Sequence, residues 1–161
     1  MRRVIIFHTI ILSQPEADRE IIMNEKIFML LLETQGAHAQ LARQGFQKLD
    51  LSEGQPKILY ILLNNQGCVQ KELAQWAKVK PSTMTVLLDR MENQGMIYRE
   101  ETKVSGGKRA FKIFLTEEGK SRAMQVNQLV EELEERSFTG FSNAERELLC
   151  NMLTRVKVNL E

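Results

Sequence analysis

Residues 69–116 read VQKELAQWAKVKPSTMTVLLDRMENQGMIYREETKVSGGKRAFKIFLT, and this stretch decides the fold. Two short helical patterns come first, Gln70–Ala77 and Pro81–Gln94, joined only by Lys78, Val79 and Lys80. That is helix-turn-helix spacing. In the second helix Met84, Leu87, Leu88 and Met91 recur at i, i+3, i+4 and i+7, so they face a core. Ser82, Thr83, Val86, Arg90 and Asn93 then lie on the outer side. Pro81 suits a first helical turn, where its missing N–H is no loss. Gly95 is placed to end the helix in a left-handed conformation. Two strand patterns follow, Met96–Glu101 and Arg109–Leu115, around a loop Thr102–Lys108 tipped by Gly106 and Gly107.

A helix-turn-helix followed by a basic hairpin is a winged helix. A helix led by small hydroxyl residues can enter a major groove, and a cationic loop can reach the backbone or minor groove beside it. The order and spacing of several blocks resemble the MarR family of bacterial transcription regulators. These blocks are LSEGQPKILYILLNNQG at 51–67, KELA at 71–74, the Pro81-Ser82-Thr83 helix start, Leu87-x-Asp89-Arg90-Met91-Glu92, and a wing closing on Leu115-Thr116-x-x-Gly119. The resemblance covers about Leu51 to Lys120.

It implies a mainly α fold of the α+β kind, a winged helix-turn-helix domain whose N- and C-terminal helices form a dimerisation arm. It also implies a homodimer on double-stranded, pseudo-palindromic DNA, acting as a repressor and released by a small apolar or aromatic effector. The candidate DNA contacts are Ser82, Thr83, Thr85 and Val86 on the helix, Lys78 and Lys80 in the turn, Arg90, and Lys103, Lys108 and Arg109 on the wing. Lys57 and Lys71 are weaker candidates for phosphate. Arg90 has two readings, phosphate contact or pairing with Glu92, Asp89 or a neighbouring segment. Val86 stands where many relatives carry a basic or polar residue, so any base reading there is apolar, against a thymine methyl. Gly107 stands where relatives carry an acid that helps to hold the wing arginine.

The totals agree with this reading without forcing it. The 161 residues carry a net charge of only +1, which excludes a bulk polycation. Residues 50–116 hold ten Lys and Arg against seven Asp and Glu, whereas 117–161 hold six against nine. The positive excess therefore falls on the proposed DNA-binding part. Two cysteines, Cys68 and Cys150, make no disulfide framework and fit a reducing cytoplasm. Cys68 reads as a small buried thiol and Cys150 as interface packing. His8 and His38 are the only histidines, too few for a zinc site, and no metal or cofactor is expected. Trp76 and Tyr60 read as core. No Gly-x-Ser-x-Gly, no phosphate-cradling loop after a strand and no acid–base pair argue for an enzyme.

Four segments are expected: an N-terminal extension over 1–22, a dimerisation helix within 23–50, the winged helix over 51–116 and C-terminal dimerisation helices over 117–161. Met1–Leu12, MRRVIIFHTIIL, imitates the start of a signal peptide but is too short to span a bilayer, and no small-x-small cleavage site follows. It reads either as an ordered extension needing an apolar surface or as an artefact of start-site choice before Met23. Asn24 is placed to cap a helix of about Glu25–Lys48, with Gly36 and Gly45 as points of bend or break. Ser52 and Gln55 suggest a capping box for a helix of about Glu53–Asn64. Thr116 is placed to cap Glu117–Arg136, and Ser142 with Glu145 to box a last helix to about Asn159. The terminal helices carry one apolar stripe each, too little to stand alone, so a second chain is the simplest cover. From another functional class, a winged helix turned protein-interaction module fits the low charge and Val86.

Overall fold

The computed structural model describes residues 16–104 and 106–161. They fall into two compact units, one ending at Arg43 and one from Gln44 to Glu161. The sequence-predicted N-terminal features at Met1–Leu12 and His8 lie outside the described residues.

Helix α1 spans Glu16–Lys48. It already runs at Asn24, so Asn24 does not cap it, and residue 22 is no element boundary. Strong helix formers such as Glu16, Ala17, Arg19 and Glu20 carry the helix across a single Asn, which costs only tenths of a kcal/mol in a helix interior. The helix also runs unbroken through Gly36 and Gly45. Along residues 26–40 every side chain is exposed, including Ile27, Phe28, Leu30, Leu31 and Leu32.

In the second unit α2 covers Gln55–Asn64. It starts two residues later than the sequence suggests. Gly54, at φ 88°, takes the N-cap position, and only half of the expected box forms: Gln55 Oε1 accepts from Ser52 N–H at 2.9 Å. Gln55 is instead wholly buried and donates through Nε2 to the Gln94 side chain. A two-residue strand β1, Cys68–Val69, precedes helix α3, Gln70–Ala77. Lys78, in a left-handed conformation at φ 55°, ends α3. Helix α4 is Pro81–Asn93.

Strands β2, Ile97–Val104, and β3, Lys108–Leu115, form the hairpin and pair from Ile97↔Leu115 out to Val104↔Lys108. The pairing thus includes Thr102, Lys103 and Val104, which the sequence reading gave to the loop; β-branched Thr102 and Val104 suit a pleated strand. β1 adds to the other edge of β3, with Cys68↔Ile113 and Val69↔Lys112, giving the order β1-β3-β2. Helices α5, Glu117–Ser137, and α6, Asn143–Leu160, complete the unit.

The core gathers Ile58, Leu59 and Leu62 of α2, Leu73 and Ala77 of α3, Met84, Leu88 and Met91 of α4, and Ile97, Ile113 and Leu115 of the sheet. Leu87 packs at its edge. Ala123 and Val126 of α5 belong to the same core. Tyr60 and Trp76 are 41% and 45% exposed, against the expectation that they are core. The buried stripe of α2 is Gln55, Ile58, Leu59 and Leu62, and that of α3 is Leu73, Ala74 and Ala77; helical periodicity turns the two aromatics off those stripes.

One residue ties three elements together. Thr116 N–H donates to the Met96 carbonyl, its hydroxyl donates to the Gly95 carbonyl at 2.6 Å, and the same oxygen accepts from Gly119 N–H at 3.0 Å. Thr116 is thereby the N-cap of α5, as its position predicts. Gly119 sits so close to the strand that a Cβ there would overlap the Met96 carbonyl oxygen. The Ser142–Glu145 capping box forms as expected: Ser142 Oγ accepts from Glu145 N–H, and Glu145 Oε2 accepts from Ser142 N–H at 2.8 Å. The Ser142 N–H and then its hydroxyl, both donating to Glu145 Oε2, hold that carboxyl below its usual range.

Candidate nucleic-acid interface

The first turn of α4 is open to solvent. Lys80 occupies the N-cap position in an extended conformation, and no side chain caps the helix. Ser82 and Thr83 are both exposed, and among the described residues neither hydroxyl has a hydrogen-bond partner. Capping therefore does not account for them; they are free to meet a ligand. Val86, one turn on, is 59% exposed. Thr85 is exposed but its hydroxyl is engaged, donating to the Pro81 carbonyl and accepting from Gln70 Nε2 at 2.9 Å.

Arg90 reaches the Ser52 hydroxyl at 3.4 Å and pairs with no carboxylate among the described residues. Asp89 and Glu92 are taken by Arg99 instead, at 2.7 and 2.9 Å. Of the two readings of Arg90, pairing with Asp89 or Glu92 gives way to their ion cluster with Arg99, while contact with a neighbouring segment is met at Ser52. Arg99 is the less exposed partner, with 18% of its side chain accessible, and it clamps β2 to α4. In the turn, Lys80 is exposed and Lys78 lies 3.4 Å from Glu161. Lys57 and Lys71 are exposed as well.

Sheet pleating sets which wing residues share the helix side. Side chains alternate along a strand, so Ile97, Arg99, Glu101 and Lys103 share one face with Arg109, Phe111, Ile113 and Leu115. Ile97, Ile113 and Leu115 on that face are buried against the helices. Arg109 lies farther out on the same face. There a cleft of about 830 Å³ opens between α3, α4 and β3, lined by Gln70, Lys71, Pro81, Thr85, Arg99, Arg109 and Phe111 among others. Lys103 and Arg109 are exposed, and Lys108 is a β3 residue paired with Val104. Arg109 makes a two-pronged ion pair with Glu101, Nε to Oε1 at 2.7 Å and Nη2 to Oε2 at 2.8 Å.

Of the residues named from sequence, Lys71, Thr85 and Arg109 line the cleft, while Ser82, Thr83 and Val86 stand on the exposed side of α4. Sequence reasoning missed Gln70, Arg99 and Glu101. The signal for the last two is register: only the strand pairing brings Glu101 diagonally beside Arg109.

Cys68 is buried, and its thiol is pushed up to about 11, first by burial and then by the Glu72 charge. Cys150 is exposed on α6. His38 is exposed, and no cluster of three or more metal-ligating side chains occurs among the described residues.

Known proteins share both the sequence and the fold. Residues 51–105 match the sequence profile of the MarR family. The chain is 32% identical over 116 residues to the HTH-type transcriptional regulator YybA of Bacillus subtilis (strain 168), covering 72% of this chain and 76% of YybA. It is 29% identical over 134 residues to the HTH-type transcriptional repressor IacR of Pseudomonas putida, covering 83% and 79%. A MarR family regulator from Listeria monocytogenes, crystallised with a 26mer DNA, has the same fold, with TM-score 0.72 and 24% identity over 83% of this chain and 87% of that one. A winged helix with an open recognition-helix start, matched over these lengths, places the chain in the MarR family of DNA-binding transcriptional regulators.

Proposed function

We propose that the protein is a homodimeric, non-catalytic repressor that reads a pseudo-palindromic operator in the cytoplasm. The observation that carries this reading is the free start of α4. Ser82 and Thr83 offer unpartnered hydroxyls, Val86 offers an apolar contact, and Lys103 and Arg109 stand on the wing beside them. Lysines and arginines supply sequence-independent affinity through phosphates, while the α4 side chains select bases. The homodimer is supported by unmet apolar surface. Every residue of α6 is exposed apart from half-buried Leu149, although Leu148, Met152, Leu153 and Val156 form a stripe. An apolar stripe of that length calls for cover, and a second copy supplies it with two-fold symmetry. Two recognition helices then address half-sites about one helical turn, roughly 34 Å, apart. No described helix is long and apolar enough to cross a membrane. A small apolar or aromatic effector, as the family resemblance implies, releases the DNA.

The test is nuclease footprinting on the DNA flanking the protein's own gene, with a titration at two salt concentrations. Protection of two half-sites, with affinity falling steeply with salt, is the expected result. Binding that ignores sequence would remove the reading.

A further inference from the structure

The wing presents an acid where DNA affinity calls for cations. Glu101 lies on the helix-facing side of the hairpin, and its side chain is half exposed. A lone carboxylate there repels phosphate. Yet both of its oxygens are occupied by Arg109, through Nε and Nη2. We propose that Glu101 is a positioning residue for DNA recognition: it fixes the Arg109 guanidinium on the α4 side of the wing in the free protein.

Three observations carry this. First, among the described residues nothing else holds Arg109. Its side chain is 72% exposed, and it lies beyond the buried part of the sheet, which ends at Ile113. Its directly opposite neighbour is Lys103, a like charge. At the hairpin tip, Gly106 and Gly107 have no side chains to offer. Second, the pair is diagonal. Glu101 stands opposite Phe111, so the carboxylate pulls the guanidinium back along the hairpin toward its base and the cleft beside Thr85, rather than out past the tip. Third, the donor arithmetic leaves the arginine useful. A guanidinium has five N–H groups; Glu101 takes two, and three stay available to phosphate or a base edge. A long, freely rotating side chain loses rotamer freedom on binding, and fixing it beforehand removes that loss.

The inference rests on Arg109 being a DNA contact, and the test separates the two. The full-length protein is used with a fluorescent duplex that the wild type selects from a random-sequence pool, and with a shuffled duplex of equal length. Anisotropy titrations compare wild type, Glu101→Gln, Glu101→Ala, Arg109→Ala and the Glu101→Gln/Arg109→Ala double variant. Removing a negative charge beside DNA should, by charge alone, tighten binding to both duplexes. Positioning predicts the opposite sign: Glu101→Gln and Glu101→Ala weaken binding to the selected duplex about tenfold, within the range of one good side-chain contact. Binding to the shuffled duplex holds or tightens, and Glu101→Gln has no further cost once Arg109 is Ala. If Arg109→Ala weakens binding while the Glu101 variants tighten it or leave it unchanged, the positioning role is lost and the DNA contact stands. If Arg109→Ala changes nothing, or selection enriches no duplex, the reading beneath the proposal falls and takes it along. Melting temperatures near wild type are expected, since both side chains are more than half exposed.

Discussion

Two glycines show how differently one residue type serves the chain. Gly119 lies against the Met96 carbonyl, and a methyl there meets backbone that cannot yield cheaply. Gly119→Ala should lower stability by about 2 kcal/mol or more in a urea titration, in the range of overpacking. Gly36 lies inside α1 with open space around it. Gly36→Ala should raise helix stability by about 0.5–1 kcal/mol, because Ala restricts the unfolded chain. Cys68 supplies a second check. A thiol whose pKa rises from 9.0 to about 11 on folding keeps its proton better in the native state. Its contribution to stability is complete below about pH 9 and is lost as pH climbs from there through 11. In a Cys150→Ser background, native protein at pH 8 should resist alkylation and unfolded protein should react fully; fast native labelling would show an accessible thiolate. The burial of Cys68 was legible from its place before a helix, but its strand pairing was not. Two residues between Gly67 and Gln70 give no alternation to read, and β1 exists only because β3 offers an edge.

At the scale of elements, the recognition helix is held from the strand side. Arg99 joins Asp89 and Glu92 across the gap between β2 and α4. Exposed ion pairs contribute up to about 1 kcal/mol, and breaking buried ones costs about 3–5 kcal/mol. With 18% of the Arg99 side chain accessible, Arg99→Ala should fall between, near 2 kcal/mol, and a chemical denaturation curve measures it. Periodicity revealed α3, α4, α5, α6 and the hairpin because each has its own alternating or i, i+3, i+4 pattern. It failed where the deciding interaction was remote. Gln55 looked like a local cap and is a buried bridge to Gln94, 39 positions away. Arg90 looked able to pair with its neighbours, but the carboxylates turn to Arg99. Strand length was underestimated because Thr102-Lys103-Val104 reads as polar loop until the register is known.

For the whole molecule, the proposed dimer would tie oligomerisation to DNA binding through the exposed stripe of α6. Leu153→Glu in that stripe should shift sedimentation toward monomer and lower operator affinity by at least tenfold, since each half-site then binds alone. The same variant should keep its far-ultraviolet dichroism, because Leu153 is 45% exposed and supports no core. A dimer that survives the substitution would place the contact elsewhere.

Thr116 leaves a mechanical legacy. Gly95, just past the recognition helix, Met96 at the head of the wing, and the first turn of α5 are all fastened to that one threonine. It behaves as a rivet through three plates. A tilt of α5 should therefore be felt at the back end of α4, and Thr116→Val should weaken that coupling.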